Sequence, residues 1–282
     1  MFDRIATGWE LAKASLRVLR MDKELLVFPL VSSVCCLLVL GSFALPLWNS
    51  QYAAVVINDH QAPNDPLAYV ILFAFYFVNY FVIVFFNSAL VSCAIIRFKG
   101  GDPTVADGFR AATNRLPQIL AWSLVSATVG MLLRVIESHA EKVGQIISAI
   151  LGGAWSIATY FVVPVLVVEH VDPITAVKRS LSVLRKTWGE ALTANFGIGF
   201  VTFLAMLLLG LIPIIGGCFT LAVNVPVGVA LVTVGIVGLF SVALVSSTLD
   251  SILLAALYLY AAEGEVPRHF DKSLFEGAFA GK

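Results

Sequence analysis

The chain is 282 residues long, 59% hydrophobic, only 13% charged and formally neutral at pH 7, with a mean hydropathy of +0.92. Water-soluble domains carry about 25% charged residues, so this composition excludes a soluble fold and makes a bilayer the expected solvent. A net charge of zero gives no overall field for gathering nucleic acid and leaves the information in where the charges stand.

The chain opens on a periodic segment in which Ile5, Trp9, Ala12, Leu16 and Leu19 step by four and three beside Lys13, Arg17 and Arg20. That is the pattern of an amphipathic helix at a membrane interface. A cleavable signal peptide instead needs a short basic region and a continuous apolar core, so the N-terminus is expected to persist. Apolar runs of about 20 residues must be helices, because hydrocarbon leaves every backbone polar group to be satisfied within the segment. They fall near Leu25 to Trp48, Leu67 to Ile96, Pro117 to Ile136, Val143 to Val168 and Ala191 to Ile212. The stretch from Phe219 to Ala262 is too long for one span, yet has no charged break. Pro213, Gly216, Gly217, Pro226 and Gly228 predict an irregular outer segment leading into one long sixth helix.

Lys and Arg are retained on the cytoplasmic side of short loops. Six spans with both termini inside put sixteen of the eighteen on that side, leaving Arg134 and Lys142 outside. The outer loop Asn49 to Pro66 holds Asp59, His60 and Asp65 but neither Lys nor Arg.

Ser15-Leu16-Arg17-Val18-Leu19-Arg20 before the first span matches Ser180-Leu181-Ser182-Val183-Leu184-Arg185 before the fifth, and Asp102-Pro103 pairs with Asp172-Pro173 at a common offset to Arg115 and Arg185. The reading is an all-α integral membrane protein of six transmembrane helices, in three repeats of amphipathic interfacial helix plus transmembrane hairpin. The repeats cover residues 1–96, 97–168 and 169–262, followed by a cytoplasmic tail, 263–282, all in one membrane domain. The second amphipathic stripe is Val105, Phe109, Ala112 and Leu116 beside Arg110. The third is Ile174, Val177, Leu181, Leu184 and Trp188 beside Lys178 and Arg185. Such helices either brace the bundle from below or meet anionic lipid.

An ionisable group in hydrocarbon costs roughly 2.5–3.5 kcal/mol on insertion scales and invites a functional reading. Asp250, expected near mid-bilayer, is the clear case. Asn87, Ser88, Ser126, Thr159 and Ser247 are expected at similar depth, with Ser32, Ser33, Ser123 and Asn195 in the same inner half. A polar cavity open to the cytoplasm would explain the grouping, and interhelical hydrogen bonding is the plainer account of the hydroxyls. Arg134 and Glu137 read as a surface ion pair. Cys35, Cys36 and Cys93 lie in apolar runs and Cys218 in the expected outer segment, with no disulfide or metal spacing. His60, His139, His170 and His269 stand in separate segments, and no phosphate loop, nucleophile elbow or zinc motif occurs. Neither a cofactor nor a resident metal is expected. Glu169, His170 and Asp172, just before Pro173, read as a helix cap, and Gly228, Gly235 and Gly238 as sites of close helix approach.

The opening Gly8-Trp9-Glu10-Leu11-Ala12-Lys13, continuing through Asp22-Lys23-Glu24-Leu25-Leu26-Val27-Phe28-Pro29, resembles the start of an uncharacterised prokaryotic family of six-span membrane proteins. The repeated plan is also similar to the membrane domain attached to some glycerophosphodiester phosphodiesterases, whose catalytic domain has no counterpart in this chain. The first resemblance implies a bacterial inner-membrane location and no settled activity. The expectation is a non-enzymatic protein that binds or moves a lipid or amphiphile. The alternative is a scaffold or accessory subunit with a homo-oligomeric or membrane-protein partner. Membrane lipids are the expected partners in either case, and nucleic acid is not.

Overall fold

The computed structural model describes residues 2–47, 66–139 and 141–270. Among them every regular element is helical: α1 (Phe2–Met21), α2 (Val27–Leu47), α3 (Pro66–Phe98), α4 (Val105–Asn114), α5 (Leu116–His139), α6 (Glu141–Ala158), α7 (Val162–Glu169), α8 (Pro173–Met206), α9 (Ile212–Leu221) and α10 (Val225–Tyr258). A 3-10 turn, Lys23–Leu26, leads into α2, and π turns at Leu207–Leu211 and Leu259–Glu263 follow α8 and α10. Among the described residues six stretches are long and apolar enough to cross a membrane: Lys23–Pro46, Pro66–Phe98, Leu116–Glu137, Gly144–Glu169, Val201–Leu221 and Val225–Glu263. The outer loop with Asp59, His60 and Asp65, and the tail with Lys272 and Lys282, lie outside the described residues.

The chain divides into two compact units, one of Met1–Pro29, Ala94–Asp102 and Thr187–Lys282, the other of Leu30–Cys93 and Pro103–Lys186. In the first, α1 packs against α10, and α10 forms an antiparallel hairpin with α9. This hairpin corrects two expectations. The fifth apolar stretch is Val201–Leu221 rather than Ala191 to Ile212. The supposedly irregular segment is helical through Leu221, with a turn at Ala222–Asn224 before α10. Both prolines are accommodated: Pro226 occupies the first turn of α10, where no intrahelical N–H donor is needed, and Pro213 directly follows the π turn Leu207–Leu211 in helix that runs on from α8. Asn224 caps α10 by accepting the Val227 N–H at 3.3 Å. Cys218 accordingly lies on a helix, not in a loop.

Glycine makes this hairpin possible. A Cβ at Gly217 would stand 2.9 Å from the Gly228 carbonyl oxygen, one at Gly228 2.7 Å from the Leu221 nitrogen, and one at Gly235 2.7 Å from the Gly210 carbonyl oxygen. Backbones in such contact leave no room for a side chain, the close approach that small residues allow between membrane helices.

The α1 and α8 stripes are rotated from their expected positions. In α1 the buried residues are Leu11, Ala14, Ser15, Val18 and Leu19, while Trp9 is 44% exposed and Ala12 and Leu16 are half-buried. In α8 they are Ala176, Ser180, Val183 and Leu184, whereas Ile174 is 67% exposed. Ile5 and Trp188 fall outside the side chains described. Both helices carry apolar residues on more than one face, so periodicity found an apolar stripe but small residues chose the packed one. Ala14, Ser15, Ala176 and Ser180 let the helix approach its neighbour closely. In α4 the buried positions are Gly108 and Ala112, with Val105 and Phe109 at the margin.

Candidate functional site

Asp250 is the only charged residue between Glu190 and Glu263. It lies on α10, 13 positions before Glu263 and 25 after Val225, with its side chain exposed at the helix surface. Two neighbouring hydroxyls bond back to their own helix: Thr248 Oγ1 donates to the Leu244 carbonyl at 2.8 Å, and Ser251 Oγ to the Ser247 carbonyl at 3.0 Å. One turn before Asp250, Ser246 Oγ and Thr202 Oγ1 meet at 2.8 Å, joining α10 to α8. Asp250 has no hydrogen-bond or ion-pair partner among the described residues of its unit.

The expected polar group divides between the units. Asp250 and Ser247 belong to the first, and Asn87, Ser88, Ser126 and Thr159 to the second. Ser247 is exposed beside Asp250. Ser88 and Ser126 are buried, and Asn87 and Thr159 half-buried. Thr159 Oγ1 donates to the Trp155 carbonyl at 2.8 Å, so its hydroxyl is spent on its own helix. Ser123 does the same with the Ile119 carbonyl at 2.7 Å. Ser88 Oγ is fully buried without a hydrogen-bond partner.

A second concentration of charge lies at the Lys/Arg-rich end of the helices. In the first unit the Arg97 guanidinium donates two hydrogen bonds to the Asp22 carboxylate and one to Asp102. Asp22 and Arg97 have side chains only 8% and 15% exposed, against 92% for Asp102. Lys99 Nζ lies 3.0 Å from Glu263 Oε2, and the Arg268 N–H donates to the Phe98 carbonyl at 3.4 Å, tying the chain beyond α10 to the end of α3. In the second unit Arg115 donates to the Val167 carbonyl at 3.0 Å and contacts His170, and burial pushes its pKa down. Arg179 pairs with Glu169 at 2.7 Å. Sequence reading treated Arg97 as a positive-side count and missed its carboxylate partner. No local signal could join residues 75 positions apart.

The paired Asp-Pro dipeptides play different parts. Asp172 caps α8, accepting the Thr175 hydroxyl at 2.6 Å and the Ile174 and Thr175 N–H groups at 3.1 Å. Asp102 does not cap α4. Thr104 does, in a reciprocal capping box with Asp107. The Thr104 and Thr175 donors hold Asp107 and Asp172 below the usual carboxylate range.

Of the interfacial basic residues, Lys13, Arg17, Arg20, Arg110, Lys178 and Arg185 are exposed, and Arg115 is half-buried in the contacts above. Lys13 also lies 5.4 Å over the Trp9 ring and 2.7 Å from Glu10. The expected Arg134–Glu137 pair is present at 3.8 Å. All four cysteines are free thiols.

Residues 67–268, which carry the Gly-packed hairpin, Asp250, Arg97 and the Arg115 contacts, match a family of unknown function, DUF6159. The chain belongs to the DUF6159 family. No curated protein matches it. The matched span of this DUF6159 chain begins after α2, so the N-terminal block from Gly8 to Pro29 lies outside it. The six long apolar helices among the described residues fit a multi-pass membrane protein, and the family has no assigned function.

Proposed function

We propose that this protein binds or moves a lipid or other amphiphile through a polar opening on its basic end, without covalent catalysis. It would do so in a bacterial plasma membrane with both termini cytoplasmic. One observation carries the reading: Asp250 is the only charge on the stretch Val225–Glu263 before its terminal Glu263, and its carboxylate is displayed at the helix surface rather than consumed by an internal ion pair. A carboxylate displayed on an apolar helix without an internal partner is free to meet a polar or cationic headgroup. The Thr202–Ser246 pair one turn away supports the reading by adding hydroxyls beside the carboxylate.

Three repeats of amphipathic helix and hairpin fit the same proposal. Burial supports the first and third, for Ser15, Val18 and Leu19 are buried and Arg17 and Arg20 exposed, and Ser180, Val183 and Leu184 are buried and Ser182 and Arg185 exposed. The test is native mass spectrometry of the protein in lipid nanodiscs, wild type against Asp250→Asn. A defined bound lipid lost in the variant supports the proposal. Identical lipid retention by both forms refutes it.

A scaffold or accessory-subunit role is the second reading, favoured by the broad apolar surface of the α9–α10 hairpin, where Phe219 and Val225 are 78% and 60% exposed. Cross-linking in membranes that recovers only monomers would count against it.

A further inference from the structure

The stretch Val225–Glu263 is 39 residues long, about 58 Å of helix, whereas a bilayer's hydrocarbon is about 30 Å thick. Tilt does not absorb the difference, since transmembrane helices lean by about 0–40° and fitting this one would need about 60°. Part of it must therefore lie outside the hydrocarbon, and burial shows which part.

From the turn at Ala222–Asn224 back to Phe203, and forward to Ser247, the only buried residues are Gly210, Gly217, Gly228 and Gly235. Everything outside that glycine seam faces outward to some degree, including Val234, Ile236, Val237 and Phe240 on α10 and Leu208 and Ile212 opposite. At Thr248 the pattern changes. Thr248, Ser251, Ile252, Leu253 and Ala255 through Leu259 are buried by protein, and of the residues between them only Asp250 is exposed. A protein-covered helix end has no need of lipid, and an apolar surface open on all sides does.

The hairpin's register sets both strands of this surface to the same length. Gly228 meets Leu221, Gly235 meets Ile214, Gly238 meets Leu209, and Thr202 bonds Ser246. Val225 to Val245 spans about 31 Å at 1.5 Å per residue, the thickness of the hydrocarbon. Its far boundary is then marked on both helices at once by the hydroxyls of Thr202 and Ser246.

We propose that the acyl chains of the bilayer cover the α9–α10 hairpin only as far as the Thr202–Ser246 pair, so that Asp250 lies among lipid headgroups and the last turns of α10 lie beneath the bilayer. The occupant of this apolar surface is phospholipid acyl chain, and Asp250 is a headgroup-level carboxylate rather than a mid-bilayer one. This replaces the mid-bilayer depth expected from counting back from Ala262, which assumed that the helix ends at the membrane surface.

Nitroxide labels at single cysteines test it in phosphatidylethanolamine/phosphatidylglycerol vesicles, with Cys35, Cys36, Cys93 and Cys218 replaced by alanine. Labels at Val229, Val234, Val237, Phe240, Ser247 and Asp250 are compared for collision with oxygen and with a water-soluble nickel chelate. A facing series uses Phe203, Leu208, Ile212 and Phe219. Oxygen accessibility should peak near Val234 and Ile212, with several-fold more nickel collision at positions 247, 250 and 203. A peak between positions 245 and 250, with nickel excluded there, overturns the proposal. The unaltered protein gives an independent reading through carboxyl modification in the same vesicles. Reaction of Asp250 with a water-soluble carbodiimide is expected, and an Asp250 refractory to that reagent overturns the assignment.

Discussion

Arg97 shows how one residue at the end of an apolar helix holds distant segments together. Its guanidinium binds Asp22, which precedes the 3-10 turn into α2, and Asp102, which precedes α4. Both partners of the Asp22 pair are nearly out of water, so removing one strands the other, whereas Asp102 is 92% exposed and its loss leaves little uncompensated. Arg97→Met should therefore destabilise the protein by about 3 kcal/mol, and Asp102→Ala by less than about 1 kcal/mol, read as midpoints of thermal unfolding in detergent. Asp107 and Asp172 make a pH prediction. Their folded carboxyls are held below the ordinary range by threonine donors, so their capping contribution is fully present above that range. It is lost as pH falls through the depressed folded value. Carboxyl NMR titration should place both midpoints below about 3.9, the ordinary aspartate value. Thr175→Val should move that of Asp172 upward.

At the scale of elements, the α9–α10 hairpin was half legible. The glycine spacing announced close approach, because only a residue without a Cβ permits backbone contact. Pro213 and Pro226, with Gly216, Gly217 and Gly228, were read as an irregular segment, because a proline that a helix accommodates and one that breaks it look alike in sequence. Gly235→Ala would put a Cβ 2.6 Å from Ile214 and 2.7 Å from the Gly210 carbonyl, and should cost about 1–3 kcal/mol as the helices splay. Gly216→Ala, with nothing within 4 Å of the added carbon, should leave the unfolding midpoint within about 0.5 kcal/mol of wild type. The amphipathic helices teach the same lesson in another form. Helix over these segments followed from periodicity, although the third stripe lies within the unbroken helix α8, Pro173–Met206, and Leu11, Ala14 and Val18 rather than Trp9 and Leu16 proved to be the packed face of α1.

For the whole molecule, the uneven placement of Lys and Arg yields a prediction about orientation. A membrane-impermeant thiol reagent applied to the outer face of spheroplasts should label Lys142→Cys and spare Lys272→Cys, in cysteine-free backgrounds. The reverse pattern would overturn cytoplasmic termini. The two compact units also bear on the candidate site, since Asp250 belongs to one and Asn87, Ser88, Ser126 and Thr159 to the other. Sequence placed these five and Ser247 in one group by counting from helix ends, which measures depth alone.

What the sequence determined by itself was whatever depends on composition and local periodicity: a bilayer as solvent, six apolar spans, the amphipathic helices and the glycine seam. These follow because hydrocarbon forces each span to satisfy its own backbone, so local runs suffice to find it. Tertiary structure alone decided the face each helix buries, the pairing of Arg97 with Asp22, the turn at Ala222–Asn224 and the point on α10 where burial by protein begins. Those depend on which surfaces meet across long separations in the chain, and on small residues whose fit is set by the neighbour rather than by their own hydrophobicity.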